Sequence, residues 1–266
     1  MTQFDLSSYL DRIGLDAAPE PTADGLATLQ TAQLRAIAFE NIDPFLGRVP
    51  DLEPGAIFDK AVRAGRGGYC YELNGLFADA MTALGFRPER RLARVRMRGV
   101  LDGPRSHLTH VVRIDDTVFI ADTGFGGNGP LLPVRLSPEP QADQTGTFRV
   151  IDDTPTGETV LERATGDGWH QLFAFDAARV TEGDIAGANQ LSATWERAPF
   201  PAHLMVARYT DRGRIGLFDR DMTGEDGSRT WIEDRNALTE TLKETFRLAL
   251  SDEVLDAIWD RLSAQD

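Results

Sequence analysis

The chain contains one cysteine, Cys70, and its surroundings are those of a reactive thiol. It lies in the segment RAGRGGYCYELNGLF, after Gly65, Gly67 and Gly68 and before a stretch with helical periodicity. Unpaired N–H groups and the positive dipole end of a helix N-terminus stabilise a thiolate, and glycines let a substrate approach closely. A lone cysteine is otherwise commonly a small buried hydrophobe. No Gly-Lys-Ser/Thr follows the glycines, so a phosphate-binding P-loop is not indicated.

A nucleophilic cysteine needs a base and a group that orients the base. The chain has four histidines, which are His107, His110, His170 and His203. His110 opens the strand-like run HVVRI, whereas His107 lies in the polar stretch before it. Asp122 ends the run VFIAD, and a hairpin through Asp115-Asp116 brings the end of that run beside the start of HVVRI. We therefore predict that His110 and Asp122 are neighbours; structural roles, such as a turn cap for Asp122, are the alternative.

Two further segments have a composition suited to an anionic ligand. TGFGGNGP directly follows Asp122, and its glycines would let the backbone approach a pantetheine or phosphate group. Arg94, Arg96 and Arg98 alternate in RLARVRMR, so they share one strand face in the most basic stretch of the chain. We predict that part of this stretch meets cofactor phosphates, with a solvated strand face as the alternative.

Composition narrows the possible partners. The chain has 266 residues and a formal charge of −14, so nucleic acid and anionic membranes are not expected to bind. One cysteine permits neither an internal disulfide nor a four-cysteine zinc site, and no metal is predicted. The first residues show no signal-peptide pattern, and no apolar run reaches the ~20 residues of a membrane span. We expect a cytoplasmic protein.

Periodicity predicts the elements that hold these residues. Apolar positions at helical spacing predict helices over 6–13, 25–38, 54–64 and 71–84. After Pro88, short apolar runs alternate with turn residues, which is typical of an antiparallel barrel or sandwich. HLMVARY and RIGLF are predicted strands, followed by helices over 237–248 and 251–262. This order indicates an α+β fold.

Taken together, these segments resemble the arylamine N-acetyltransferase family. The similarity covers nearly the whole chain and includes YLDRIGL, AFENID, FDKAVRAGRGGYCYELN, LGFRPERRLARV, LTHVVRI, FIADTGFGG and WHQLFAFD. It implies an N-terminal helical bundle (1–86), a central antiparallel β-barrel (87–192) and a C-terminal α/β lid (193–266). It also implies a cysteine-protease-like catalytic triad, for which we assign Cys70 as nucleophile, His110 as base and Asp122 as orienting carboxylate.

The resemblance assigns further roles. Glu40 is expected to pair with Arg66 and so to fix the loop that presents Cys70. Acetyl-CoA is the expected co-substrate, with contacts predicted from the residues Thr109, Gly124, Gly126, Gly127, Arg96 and Arg98. Residues beside the motifs are candidates for an apolar acceptor pocket or for plain core, and these are Phe39, Val95, Phe125 and Leu204.

One segment departs from the family pattern. The family usually carries a segment like STHPxSxF after the barrel, whereas this chain reads SATWERAPF at 192–200 and lacks the histidine-proline pair. The range of acceptors is therefore left open.

The resemblance implies ping-pong transfer of an acetyl group from acetyl-CoA to an arylamine or arylhydrazine through acetyl-Cys70, by a monomer or homodimer. A cysteine hydrolase or transglutaminase-like enzyme, and a non-enzymatic binding module, are the alternatives.

Overall fold

The computed structural model describes residues 4–99 and 101–265, with the backbone alone at Arg98. Helices dominate the first part of the chain. They are α1 (Leu6–Ile13), α2 (Ala23–Ala36), α3 (Ile42–Phe45), α4 (Pro54–Phe58), a π-helical segment (Asp59–Arg63) and α5 (Cys70–Ala83), with the short strand β1 (Phe39–Glu40) after α2. Helix α1 ends at Gly14, whose φ of 72° is the left-handed conformation that glycine adopts readily.

The middle of the chain forms an eight-stranded antiparallel sheet that curls into a nearly closed barrel. Its strands are β2 (Pro88–Val95), β3 (Arg105–Ile114), β4 (Thr117–Ala121), β5 (Val134–Arg135), β6 (Gln141–Asp143), β7 (Gly146–Asp153), β8 (Glu158–Thr165) and β9 (Gly168–Phe175). They lie in the order β5-β4-β3-β2-β9-β8-β7-β6. The N–H of Val150 in β7 donates to the carbonyl of Ser137, just beyond β5, and this bond draws the two ends of the sheet together. Phe148, Leu161 and Phe173 belong to the core of the barrel.

A second sheet pairs a strand of the N-terminal part with four strands of the C-terminal part. Helix α6 (Glu182–Thr194) leads to the strands β10 (Met205–Tyr209), β11 (Arg214–Phe218), β12 (Asp221–Thr223) and β13 (Arg229–Trp231), and then to α7 (Arg235–Glu240), a π-helical segment (Thr241–Thr245) and α8 (Asp252–Ser263). Strand β1 pairs with β10, with Phe39 opposite Ala207. The segment around Cys70 is therefore connected to this C-terminal sheet.

The predicted α+β class is confirmed. Two predicted helices, over 54–64 and 237–248, each consist of a short α-helix followed by a π-helical turn. Helix α6 was not predicted, because its alanines, glycines and polar residues give little amphipathic periodicity. The predicted boundary at 192/193 falls inside this helix, and the three-part division stays a prediction.

Two kinds of feature are absent from the described residues. Over 4–99 and 101–265, no helix has the length and apolarity needed to cross a membrane. The same residues contain no group of three or more His, Cys, Asp or Glu side chains placed to hold a metal ion.

Candidate active site

Helix α5 presents Cys70 as its first residue. The side chain is buried, and Sγ lies 3.8 Å from the carbonyl oxygen of Ser106 at the start of β3. The loop before it is fixed to β1, because the Glu40 N–H donates to the Gly68 carbonyl at 2.9 Å. A Cβ at Gly67 would come within 2.1 Å of the Ala38 carbonyl oxygen, so this close approach requires glycine.

His107 is the histidine that faces the sulfur. Its Nε2 lies 2.5 Å from Oδ2 of Asp122, and the ring is close enough to the Cys70 thiol for the two groups to interact. Burial alone would lower the pKa of His107, but the charge and hydrogen bond of Asp122, with the contact to Cys70, raise this pKa to about 10. The three side chains therefore form a Cys-His-Asp line in which the imidazole is held as a cation at neutral pH.

The prediction that His110 is the histidine beside Asp122 is wrong, because His107 has that place. Strand β3 pairs with β4 so that His110 stands opposite Ala121, and continuing this register places Thr109 opposite Asp122. Cross-strand partners share a face and neighbours along a strand alternate, so His107 points to the Asp122 face and His110 to the other. Neither ring nitrogen of His110 has a hydrogen-bond partner among the described residues, and burial lowers its pKa to about 3.

Asn74 connects the carboxylate of Asp122 to the helix of the cysteine. Its Nδ2 donates to Oδ1 of Asp122 at 3.0 Å and to the Leu108 carbonyl at 2.6 Å, while its Oδ1 accepts the Thr123 N–H at 2.9 Å. Although burial acts to raise the pKa of Asp122, its bonds to His107, Asn74 and the Gly124 N–H hold it below its usual value. Sequence reasoning missed Asn74; the available signal was its position four residues after Cys70, on the same helical face.

Two buried glutamines of α2 support the same turn, and these were also missed. Oε1 of Gln30 accepts the Asp122 N–H at 3.0 Å. Nε2 of Gln33 donates to Oγ1 of Thr123 at 2.8 Å, and its Oε1 accepts the Tyr9 hydroxyl at 2.6 Å. Because each amide atom has a polar partner, burying these side chains carries little penalty and fixes the turn.

A cluster of charges lies behind the cysteine loop. The predicted pair is present, with Arg66 donating to Oε1 of Glu40 at 2.6 Å and 3.0 Å. Lys60 joins Asp43 at 2.6 Å and Glu72 at 2.7 Å. Burial raises the pKa of Glu72 to about 7, against the opposing effect of Lys60. Since Glu72 also accepts the Tyr69 N–H at 3.1 Å, the cluster connects directly to the first turn of α5.

The glycines after Asp122 lie against the site. A Cβ at Gly124 would stand 2.7 Å from the Cys70 Cα, and one at Gly126 would stand 2.7 Å from the Phe39 ring. Gly126 also has a φ of 71°, and a Cβ at Gly127 would meet the ring of Phe125 at 2.9 Å. A predicted contact, Thr109, is buried, and its hydroxyl lacks a hydrogen-bond partner within the described part of the chain.

The prediction that Arg96 meets cofactor phosphates is contradicted. Its buried guanidinium bonds to Asp153 at 2.9 Å and Glu158 at 2.5 Å, and to Gln171 and Thr156 at 3.1 Å and 3.2 Å. The chain folds this arginine inward against β7, β8 and β9, and both of its terminal amino groups are already paired there, with two carboxylates among the partners. The side chain of Arg98 lies outside the described residues.

Aromatic side chains pack beside the His107 ring and the cysteine loop. Phe125 packs edge-on against the His107 ring at 5.3 Å between centroids. Phe39 lies 6.1 Å from Phe200, whose ring also contacts Tyr69 at 5.6 Å. Phe200 closes the divergent segment SATWERAPF and was not predicted to be part of the site.

The other two predicted pocket residues differ in position. Val95 is half-buried at the end of β2, opposite Phe173, whose ring packs against the His107 ring at 5.0 Å between centroids. Leu204 is fully buried in the C-terminal core with Phe45, Leu217 and Leu238, so the structure does not bring it to the site.

Helix α6 supports the residues that flank Cys70. The hydroxyl of Tyr71 lies 3.0 Å from Oγ of Ser192, and the hydroxyl of Tyr69 bonds to the side chain of Asn189. The unpredicted helix therefore helps to fix the start of α5.

Several known proteins resemble this chain in sequence and in fold. A profile described as N-acetyltransferase matches residues 22–255. The arylamine N-acetyltransferase of Mycobacterium tuberculosis is 34% identical over 257 residues, covering 93% of this chain and 90% of the relative. The Salmonella typhimurium arylamine N-acetyltransferase structure superposes with a TM-score of 0.92 at 30% identity, covering 99% of both chains. A Mycobacterium marinum arylamine N-acetyltransferase structure in complex with CoA gives 0.89 at 32%, covering 98% of this chain and 99% of that one. This chain belongs to the arylamine N-acetyltransferase family.

Proposed function

We propose that this protein transfers an acetyl group from acetyl-CoA to the nitrogen of an arylamine or arylhydrazine through an acetyl-Cys70 intermediate. The observation that carries the proposal is the position of His107, whose ring bonds to Asp122 and lies beside the Cys70 thiol. That arrangement suits a thiolate–imidazolium pair, with Asp122 orienting the ring and stabilising its positive charge.

The first half-reaction forms the acetyl-enzyme. The Cys70 thiolate attacks the thioester carbonyl of acetyl-CoA, a new C–S bond forms, and the bond to the CoA sulfur breaks. The departing CoA thiolate takes a proton from the His107 imidazolium, which leaves a neutral ring. This ring is then the base that the second half-reaction requires.

The second half-reaction returns the enzyme to its starting state. The amine nitrogen attacks the acetyl-Cys70 carbonyl, a C–N bond forms, and the C–S bond breaks to release the thiolate. The proton lost by the nitrogen moves to His107, so the thiolate–imidazolium pair is restored. Because both half-reactions use one sulfur, ping-pong kinetics are expected.

The aromatic side chains near the triad support a flat, apolar acceptor. Phe125 lies against His107, and Phe39 and Phe200 are in contact with each other beside the cysteine loop. Aromatic walls with a few fixed polar groups are typical of small-molecule sites. We propose that the arylamine ring lies among these three side chains.

Intact-protein mass spectrometry tests the intermediate. Mixing with acetyl-CoA in the absence of an amine is expected to add one acetyl group, and peptide mapping is expected to place it on Cys70. Cys70→Ser is the control for acetylation elsewhere. Adding an arylamine should remove the group and yield the N-acetyl product.

The same reagents separate the alternatives. A hydrolase or transglutaminase-like enzyme would gain no acetyl group from acetyl-CoA but would cleave or exchange amides. A binding module with an inert buried thiol would also resist alkylation by iodoacetamide at neutral pH. Absence of acetylation together with slow alkylation would refute the proposed function.

A further inference from the structure

Most arginines near the barrel already have an acidic partner. In and beside β2 and β3, Arg91 pairs with Glu89, Arg96 with Asp153 and Arg105 with Asp176. In a chain of charge −14 such pairing is expected, because carboxylates outnumber basic groups. An arginine beside the candidate site that lacks an acidic partner is therefore a candidate for binding an anionic ligand.

Arg163 and Arg214 are two such arginines, and they lie near each other. The Nε atom of each is buried and has no hydrogen-bond acceptor among the described residues, and neither guanidinium forms an ion pair there. Burial lowers the pKa of Arg214, and the neighbouring charge of Arg163 lowers it further. Two like charges are thus held together with donor capacity unused, a state that a bound anion would relieve.

Arg214 lies at the loop that follows Asp122, since it donates from β11 to the Gly126 carbonyl. Arg163 in β8 donates to the carbonyl of Thr145 at 2.8 Å, and the hydroxyl of Thr145 donates to the same glycine loop, to the Gly129 carbonyl at 3.2 Å. Arg163 stands opposite Phe148, a residue of the barrel core, so its side chain starts on the inward face of the barrel wall. The pair therefore lies where the barrel, the glycine loop and the C-terminal sheet meet.

The nearby groups do not neutralise this charge. Among the described residues Asp143 forms no ion pair with either arginine, and its carboxylate instead accepts the N–H groups of Leu131, Leu132 and Thr145. Tyr209 is directed elsewhere, with its hydroxyl donating to the Gly129 carbonyl at 2.9 Å.

The glycine loop also limits the distance between Arg214 and the segment that carries the reacting sulfur. A Cβ at Gly124 would lie 2.7 Å from the Cys70 Cα, and Gly126 is only two residues further on. Two residues span at most about 7 Å. Arg214 therefore bonds to the loop at Gly126, two residues beyond the glycine that touches Cys70. Phe125 of the same loop packs against His107.

We propose that Arg163 and Arg214 bind the phosphates of the acyl donor. The inference rests on the proposed function and makes it specific, since it assigns the anionic part of the donor to two arginines of the barrel wall and the C-terminal sheet. Guanidinium groups suit this role because their planar donor array matches phosphate oxygens.

The test compares donors with and without phosphate. Arg163→Gln, Arg214→Gln and the double variant are mixed with acetyl-CoA or with p-nitrophenyl acetate, and Cys70 acetylation is followed in a single turnover. With acetyl-CoA below saturation, each single change should slow acetylation about 10- to 100-fold, the loss expected for a charge-assisted hydrogen bond. With p-nitrophenyl acetate, the rates should stay within about twofold of wild type, because that donor makes no phosphate contact.

The control is Arg113→Gln, which removes the same charge from an exposed position on β3. It should leave both rates unchanged. Arg214→Lys keeps the charge but loses the planar donors, and it should fall between wild type and Arg214→Gln. Equal slowing with both donors would show that the arginines only support the loop, and unchanged rates with acetyl-CoA would also overturn the proposal.

Direct binding separates this inference from the proposed function. Titration calorimetry with CoA should give weaker binding to the variants, whereas pantetheine, which lacks phosphates, should bind wild type and variants alike. If wild type binds CoA but is not acetylated, the proposed function fails while the subsite stands. If wild type is acetylated and the variants bind CoA normally, the subsite fails alone.

Discussion

Replacing His107 and His110 one at a time tests the central assignment of the site. The two residues are separated by three positions in one strand, and both are buried. We expect His107→Gln to slow Cys70 acetylation by about 10³-fold, within the range for loss of a general acid–base group. Glutamine can still donate to Asp122, so the change removes the base while keeping one hydrogen bond.

His110→Leu, in contrast, should leave the rate of acetylation nearly unchanged. Neither imidazole nitrogen of His110 has a partner among the described residues, so the change removes two buried polar atoms and no hydrogen bond. An unsatisfied buried polar group costs about 1–3 kcal/mol. We expect acetylation within about threefold of wild type and a free energy of unfolding at pH 7 equal to wild type or higher by about 1–2 kcal/mol.

The pH dependence of stability gives an independent readout. The pKa of His110 falls from 6.5 to about 3 on folding, so below pH 6.5 the unfolded chain binds a proton that the folded chain refuses. The wild type should therefore lose about 1.4 kcal/mol per pH unit from this group between pH 6.5 and 3. His107 does not contribute in that window, because its raised pKa adds stability that is complete below 6.5 and lost as the pH rises towards 10.

Urea unfolding at pH 7 and pH 5 measures this difference, and single-turnover mass spectrometry measures acetylation. Between those pH values His110→Leu should lose roughly 2 kcal/mol less stability than wild type. The reasoning is refuted if His110→Leu abolishes acetylation in a folded protein while His107→Gln retains it. Equal pH slopes for wild type and His110→Leu would refute the buried neutral imidazole.

Three further changes have distinct expected outcomes. Glu40→Gln removes the nearer carboxylate of Arg66 and leaves Asp43 at 3.6 Å, and it should lower the free energy of unfolding by about 3 kcal/mol. Activity should be lost mainly through lost structure, and wild-type thermal stability would count against this. Gly124→Ala places a Cβ 2.7 Å from the Cys70 Cα, so slower alkylation of Cys70 by iodoacetamide is expected, and an unchanged rate would contradict the close approach. Arg96→Gln removes ion pairs to Asp153 and Glu158 that hold the barrel together, so the melting temperature should fall. The Michaelis constant for acetyl-CoA should not change, and a raised constant would instead support a phosphate-binding role for Arg96.

The elements could be predicted largely because their signals are local. Helix α1 was predicted with its bounds, since the apolar positions and the Gly14 stop lie within one short stretch. The helix predicted over 251–262 is present as α8 (Asp252–Ser263), and the side chain of Ser251 caps it. Helix α6 was not predicted because its own residues have no strong amphipathic pattern. It is held instead by contacts with Tyr69 and Tyr71, more than 100 residues away in sequence.

The choice of His110 as the partner of Asp122 was wrong because of the β3–β4 pairing register, not because of the chemistry assigned to the triad. Both the hairpin and the family resemblance brought the right segments together, but SHLTHVV contains two histidines three positions apart. A two-residue turn at Asp115-Asp116 pairs Ile114 with Thr117, and counting back along that ladder places His110 against Ala121. The information was therefore in the sequence, because a shift of one residue exchanges the two faces of a strand. The pairing of Arg96 with carboxylates of β7 and β8 depends on contacts between distant segments, which no local pattern reveals.

Helix α5 explains why the site depends on two distant parts of the molecule. Residues four apart share a helical face and residues two apart are on opposite sides, so Cys70 and Asn74 face the barrel while Glu72 faces the charge cluster. Asn74 bonds to Asp122, and Glu72 bonds to Lys60. The first turn of the helix is thus held between a carboxylate of the barrel and a cation of the helical part, with the nucleophile between these contacts. Weakening either connection lets the sulfur move relative to His107, which is why a change in the charge cluster should reduce activity without touching substrate.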